Sequence, residues 1–196
     1  MQGPAVEETR GSGDARLVVI DMQAAFRRPG QWHVPRYDQA AARIGRLITA
    51  VGDPLFTRFV PDPSEPGSWR AYYDRWDQMR LLPEDAVWDV VLPGYDGGAT
   101  LDLPTFGKWG PAMAEQVPVG GELVLTGVAT DCCVLSTALA AVDAGRFVTV
   151  VTDACAGQDD AAHEGALSMM GLLAPMIRLV TCDELLAERS GASESH

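Results

Sequence analysis

The sequence predicts an α/β protein of three-layer α/β/α type, built on a doubly wound, mainly parallel six-stranded sheet. Two observations carry that prediction. Short β-branched runs alternate along the chain with segments of helical apolar spacing, the signature of parallel strands joined by crossover helices. The clearest of those runs, RLVVID at 16–21, is apolar on successive residues, as in strands covered on both faces. A length of 196 residues suits one domain with a substantial core. That domain is expected over 16–187, between polar, Gly/Ser-rich stretches at 1–15 and 188–196 read as flexible tails.

In chain order, RLVVID is the first strand and ends in the carboxylate of Asp21. Residues 36–51 carry Ile44, Leu47, Ile48 and Val51 at helical spacing. PLFTRF (54–59) is a second strand, the Pro-rich stretch 60–67 a loop, and SWRAYYDRWDQM (68–79) a short helix. A third strand is expected near ATLDLP (99–104) and a fourth at ELVLTGV (122–128). DCCVLSTALAAVDAG (131–145) reads as a helix stopped by Gly145. FVTVVTDA (147–154) and IRLVT (177–181) are the last two strands, separated by a helix over 159–174.

A formal net charge of −12 argues against nucleic acid, whose phosphates demand Lys and Arg, and against an anionic membrane surface. It leaves neutral or cationic small molecules open. No signal-peptide-like start and no 18-residue apolar run is present, so a cytoplasmic protein with reduced thiols is expected. The cysteines, at 132, 133, 155 and 182, and the histidines, at 33, 163 and 196, form no compact ligand cluster, so no metal is expected.

In open parallel sheets ligands sit at the carboxyl ends of the strands. Asp21 ends the first strand and the pair Cys132/Cys133 opens the helix after the fourth, so both point to one edge. A thiol in a first helical turn sees free backbone N–H groups, which lower its pKa and favour a nucleophile. Burial as ordinary packing is the competing reading, and spacing alone does not choose between the neighbours. A carboxylate at a buried strand end suits general-base work. Trp69, Tyr72, Tyr73 and Trp76 form one helical stripe, of the kind that packs a core or lids a pocket.

Three segments carry a resemblance: LVVIDMQAAF (17–26), GKWGPAM (107–113) and GVATDCCVLSTALAAVDAG (127–145). They resemble the signature segments of the isochorismatase-like cysteine hydrolases, a superfamily that includes nicotinamidases and N-carbamoylsarcosine amidases. The resemblance implies a catalytic triad of Asp21, Lys108 and Cys133, with Cys132 a bystander. It also implies a cis peptide between Val128 and Ala129, and an oxyanion hole from the backbone N–H groups of Ala129 and Cys133. Gln23, Phe26, Trp69 and Trp109, in or near these segments, are the candidate substrate-binding residues. The metal-binding histidines of nicotinamidases have no counterpart in FVPDPSEPGSW (59–69), so no metal and no cofactor is implied.

The activity expected is hydrolysis of a C–N bond in a small amide, ureide or lactam through a thioester, by a homo-oligomer. Two rivals remain: an isochorismatase-type hydrolase of a vinyl ether, and a non-catalytic binding protein on the same fold.

Overall fold

The computed structural model describes residues 15–193. Six parallel strands form one sheet: β1 (Arg16–Ile20), β2 (Leu55–Phe59), β3 (Thr100–Leu103), β4 (Glu122–Val128), β5 (Phe147–Ala156) and β6 (Ile177–Val180). Their spatial order is β3-β2-β1-β4-β5-β6. The chain winds outward from β1 through β2 to β3, then crosses to β4 on β1's other side. The switch point therefore lies between the carboxyl ends of β1 and β4, where a doubly wound sheet opens a crevice.

Both faces of the sheet are buried, which is why β1 is apolar from Leu17 to Ile20. Leu17 and Val19 join a core with Ile44 and Leu47 of α2 (Tyr37–Val51), while Val18 and Ile20 join a second core with Val134, Ala138 and Met170. The second core is closed by α5 (Leu135–Asp143) and α6 (Asp160–Gly171). Short helices α1 (Ala24–Arg27), α3 (Trp69–Arg75) and α4 (Pro111–Gln116) follow β1, β2 and β3. The helix expected over 68–79 is thus α3 followed by a 3₁₀ turn at Asp77–Met79. The expected α5 likewise starts later, after a π turn at Thr130–Val134, and stops as expected where Gly145 adopts φ 78°.

The switch point is tight. Gly127, opposite Ile20, has φ 110°, and a Cβ there would lie 2.1 Å from the Ile20 carbonyl oxygen. Only glycine lets β4 approach β1 this closely.

The expected tail over 188–196 is corrected for its first residues. Helix α7 (Cys182–Ser193) runs through them, anchored by buried Leu185 and by the Arg178–Glu188 ion pair at 2.8 Å. Anchoring upstream outweighs the weak helix propensity of the Gly/Ser-rich end. The tail expected at 1–15 falls, but for Ala15, outside the described residues; Ala15 packs against the first core. No helix among the described residues is long and apolar enough to cross a membrane.

Candidate active site

Three strand ends deliver three fully or nearly fully buried side chains to the crevice: Asp21 after β1, Lys108 after β3 and Cys133 after β4. Asp21 adopts φ 50°, a left-handed conformation that Asp tolerates better than most residues and that turns its carboxylate off the end of the strand. Thr57 of β2 holds it there, accepting from the Asp21 N–H at 3.3 Å and donating to Oδ1 at 2.7 Å. The second oxygen, Oδ2, lies 3.1 Å from the Lys108 ammonium but has no hydrogen bond of good geometry. It is the free acceptor of the site.

Lys108 reaches this point on a loop pinned to α5. Its backbone N–H donates to Thr137 Oγ1 at 2.9 Å, and the same hydroxyl donates to the Cys133 carbonyl at 2.6 Å. One threonine thus ties the lysine segment to the cysteine segment. The ammonium also donates to the Thr105 carbonyl at 2.7 Å and sits 5.1 Å from the Phe59 ring centroid.

Cys133 lies within the π turn, just after a cis peptide bond between Val128 and Ala129. The N–H groups of Cys132 and Val134 both donate to the Ala129 carbonyl at 3.1 Å. The Cys133 N–H between them makes no such bond, as expected of a donor at a helix start. Thr130, fully buried, is fixed from α6 by His163, whose Nδ1 is 2.9 Å from the threonine hydroxyl.

The electrostatics correct one expectation. The Cys133 thiol is pushed well above the ordinary thiol pKa, by the adjoining Cys132 side chain first, then by burial and the Asp21 charge, with Lys108 opposing. The dipole of a helix start is outweighed by these nearer groups. Asp21 is raised as well, by burial, against the pull of Lys108, Thr57 and Cys133. Two acids buried around one cation disfavour each other's ionisation, and both are raised. Cys155, in contrast, is raised to about 12 by burial and is a packing residue of the second core. All four cysteines are free thiols.

Above Cys133 opens a cavity of about 300 Å³ walled by Phe26, Trp32, Phe59, Tyr72, Trp76 and Phe106, with Ala129, Asp131 and Cys132 at its base and rim. Its roof is clasped by Gln31, which donates to Asp77 Oδ1 at 3.1 Å and accepts from the Gln78 N–H at 3.2 Å.

The isochorismatase domain family matches residues 15–181 of the chain. The chain belongs to that family. Among solved structures, a cysteine hydrolase from Pseudomonas syringae pv. phaseolicola superimposes with a TM-score of 0.78 at 18% identity, covering 91% of this chain and 93% of that one. An isochorismatase-like hydrolase from Alkaliphilus metalliredigens gives 0.71 at 17%, covering 90% and 99%. The zinc complex of pyrazinamidase from Pyrococcus horikoshii gives 0.69 at 24%, covering 86% and 99%. At these identities the likeness is one of fold. No curated protein matches the sequence.

Within this isochorismatase domain the residues expected to touch substrate are sorted differently. Phe26 lines the cavity. Gln23 does not, because its amide is spent on the backbone: it donates to the carbonyls of Phe59 and Trp88 at 2.9 and 2.6 Å and accepts from the Phe59 N–H at 2.9 Å. Trp69 stands behind the wall, packed on Phe106 with centroids 4.9 Å apart. Trp109 faces the second core under the Arg146 guanidinium, 4.8 Å away. The α3 stripe is divided, with Tyr72 and Trp76 on the cavity and Tyr73 buried in the core. Trp32 and Phe106 were not anticipated. They lie in loops, where no periodicity marks an inward face, and only the aromatic residue type signals them.

Zinc in the pyrazinamidase relative raises the question of a metal here. The stretch 59–69 after β2 holds two acidic residues: Asp62 Oδ1 accepts from the Ser64 N–H and hydroxyl at 2.8 and 2.7 Å as a turn cap, and Glu65 is paired with Arg80 at 2.6 Å. Among the described residues no group of three or more His, Cys, Asp or Glu could hold an ion. The residues do not fit a metal at that position.

Proposed function

We propose that this member of the isochorismatase domain family is a cysteine-dependent hydrolase that cleaves a C–N bond of a small amide, ureide or lactam. One observation carries the reading: the buried Asp21–Lys108 pair lies against Cys133, and Cys133 lines a single aromatic cavity.

Asp21 Oδ2, the free acceptor, takes the proton from the Cys133 thiol, and the sulfur attacks the carbonyl carbon. Lys108 supports one negative charge whichever acid bears it, which makes this transfer inexpensive. The backbone N–H groups of Ala129 and Cys133 donate to the developing oxyanion, an interaction worth about 10²–10³ in rate in comparable enzymes. Protonated Asp21 then protonates the leaving nitrogen, the C–N bond breaks, and a thioester forms. Water adds to the thioester with Asp21 again as base, releasing the acid and the free thiol.

The test is a panel of small amides, ureides and lactams assayed for amine or ammonia release, with rapid quench and intact-mass analysis for an acyl adduct on Cys133. Turnover that is lost in Cys133→Ala, with an acyl adduct on the wild type, is the expected result. Full activity in Cys133→Ala, or turnover of a vinyl ether alone, refutes the proposal.

A further inference from the structure

The cavity walls specify what lies at the far end of the substrate. Among the described residues no arginine or lysine lines the cavity, and Lys108 beneath it is fully enclosed and paired with Asp21. The one basic wall side chain is His33. The carboxylate on the wall is Asp131: its Oδ1 accepts from the Gln158 N–H at 2.9 Å, while among the described residues Oδ2 has no hydrogen-bond donor and the group no ion-pair partner.

Aromatic rings make up the remainder. Ring faces carry negative charge density and attract cations, the more so away from water. Two of the wall rings already face a cation of the protein: Phe59 faces Lys108, and Trp76 faces the Arg75 guanidinium at 5.2 Å. Among the described residues, Trp32, Tyr72 and Phe106 have none. A cavity of about 300 Å³ is at the small end of ligand sites. One occupant therefore meets rings, carboxylate and thiol together. An anionic head would be desolvated there with no buried cation to receive it. The formal charge of −12 steers in the same direction.

Building on the hydrolase reading, we propose that the non-reacting end of the substrate is a small organic cation, an ammonium or guanidinium group, seated among Trp32, Tyr72 and Phe106 with Asp131 as its counter-charge. Asp131 is a binding residue in this account and takes no part in bond cleavage.

Cys133 supplies a readout that needs no known substrate. Three chloroacetamides would be compared: the N-(2-trimethylammonioethyl) cation, its uncharged isostere N-(3,3-dimethylbutyl) and the N-(2-carboxyethyl) anion. In each the sulfur displaces chloride, an S–C bond replacing C–Cl, while Asp21 takes the thiol proton. Rates of Cys133 alkylation, mapped by mass spectrometry and normalised to glutathione, would be measured in about 1 M salt, where the bulk charge is screened beyond about 3 Å.

The cation is expected to label Cys133 about tenfold faster than its isostere, with the anion slowest. In Asp131→Asn, which keeps the acceptor for Gln158, that ratio is expected to fall below about threefold. Equal rates for cation and isostere in the wild type overturn the proposal, as does a ratio that survives in Asp131→Asn. Failure of all three reagents to label Cys133 instead overturns the hydrolase reading, and this proposal with it.

Discussion

Replacing Lys108 with Met removes one charge from a buried pair at nearly constant shape. The two groups are 3.1 Å apart with neither side chain exposed. At an effective dielectric of about 20, that separation is worth about 5 kcal/mol of attraction. Removing one partner of such a pair costs about 3–5 kcal/mol, because the other charge is left uncompensated. At about 2–4 °C per kcal/mol for a domain this size, the melting temperature at pH 7 falls by roughly 6–20 °C.

The pH dependence gives the reasoning its sign. Burial already holds the Asp21 pKa above its ordinary value, and Lys108 is the largest influence pulling it down, so the variant raises it further. An acid with a folded pKa above its unfolded one costs nothing below the unfolded value, and destabilises progressively as pH rises toward the folded value. Each pH unit across that window is worth about 1.4 kcal/mol. The deficit of Lys108→Met therefore narrows on going from pH 7 to pH 5, by up to about 2.7 kcal/mol.

Activity does not return with stability. A protonated Asp21 cannot accept the thiol proton, and loss of a general base costs about 10²–10⁴ in rate. Adding Asp21→Asn removes the stranded charge, so the double variant melts above Lys108→Met at pH 7 yet stays inactive. Scanning calorimetry at pH 5, 6 and 7 with Cys133 alkylation rates measures all of this. A deficit that widens on acidification, or wild-type alkylation in Lys108→Met, refutes the reasoning.

Three further outcomes are expected. Cys133→Ser loses turnover while Cys132→Ala retains it, and because Cys132 is the largest influence raising the Cys133 thiol, the alkylation profile of Cys132→Ala shifts to lower pH; an unshifted profile removes Cys132 from the proton balance. Gln23→Leu strands two carbonyls and an N–H inside the core and lowers urea stability by about 3 kcal/mol or more; an unchanged midpoint with raised KM would make Gln23 a substrate ligand after all. Gly127→Ala drives a methyl to 2.1 Å from the Ile20 carbonyl, so no soluble folded protein is expected; recovery of a native melting profile would show that β1 and β4 can separate without loss of the fold.

The parts of this structure legible in the sequence are those that depend on near neighbours along the chain. β1 is apolar from Leu17 to Ile20 because two cores flank it, and Gly145 stops a helix wherever that helix packs. Asp21 and the cysteine pair could be placed on one edge because parallel strands share their carboxyl ends. Lys108 carried no such signal; only family resemblance singled it out, since its place depends on Thr137, 29 residues away. Trp32 and Phe106 were hidden in loops for the same reason. The thiol pKa shows the limit most clearly. A helix start predicts a lowered value, but Asp21 lies 112 positions upstream, and burial is a property of the assembled core. The helix start is one weak, partly screened influence, whereas an adjacent side chain, desolvation and a facing carboxylate all act on Cys133 at closer range. The chemistry of the site follows from that correction. In the proposed hydrolase, a thiol raised in this way beside the Asp21 carboxylate passes its proton to Asp21 only as an electrophile reaches the sulfur, which confines reactivity to what the aromatic cavity admits.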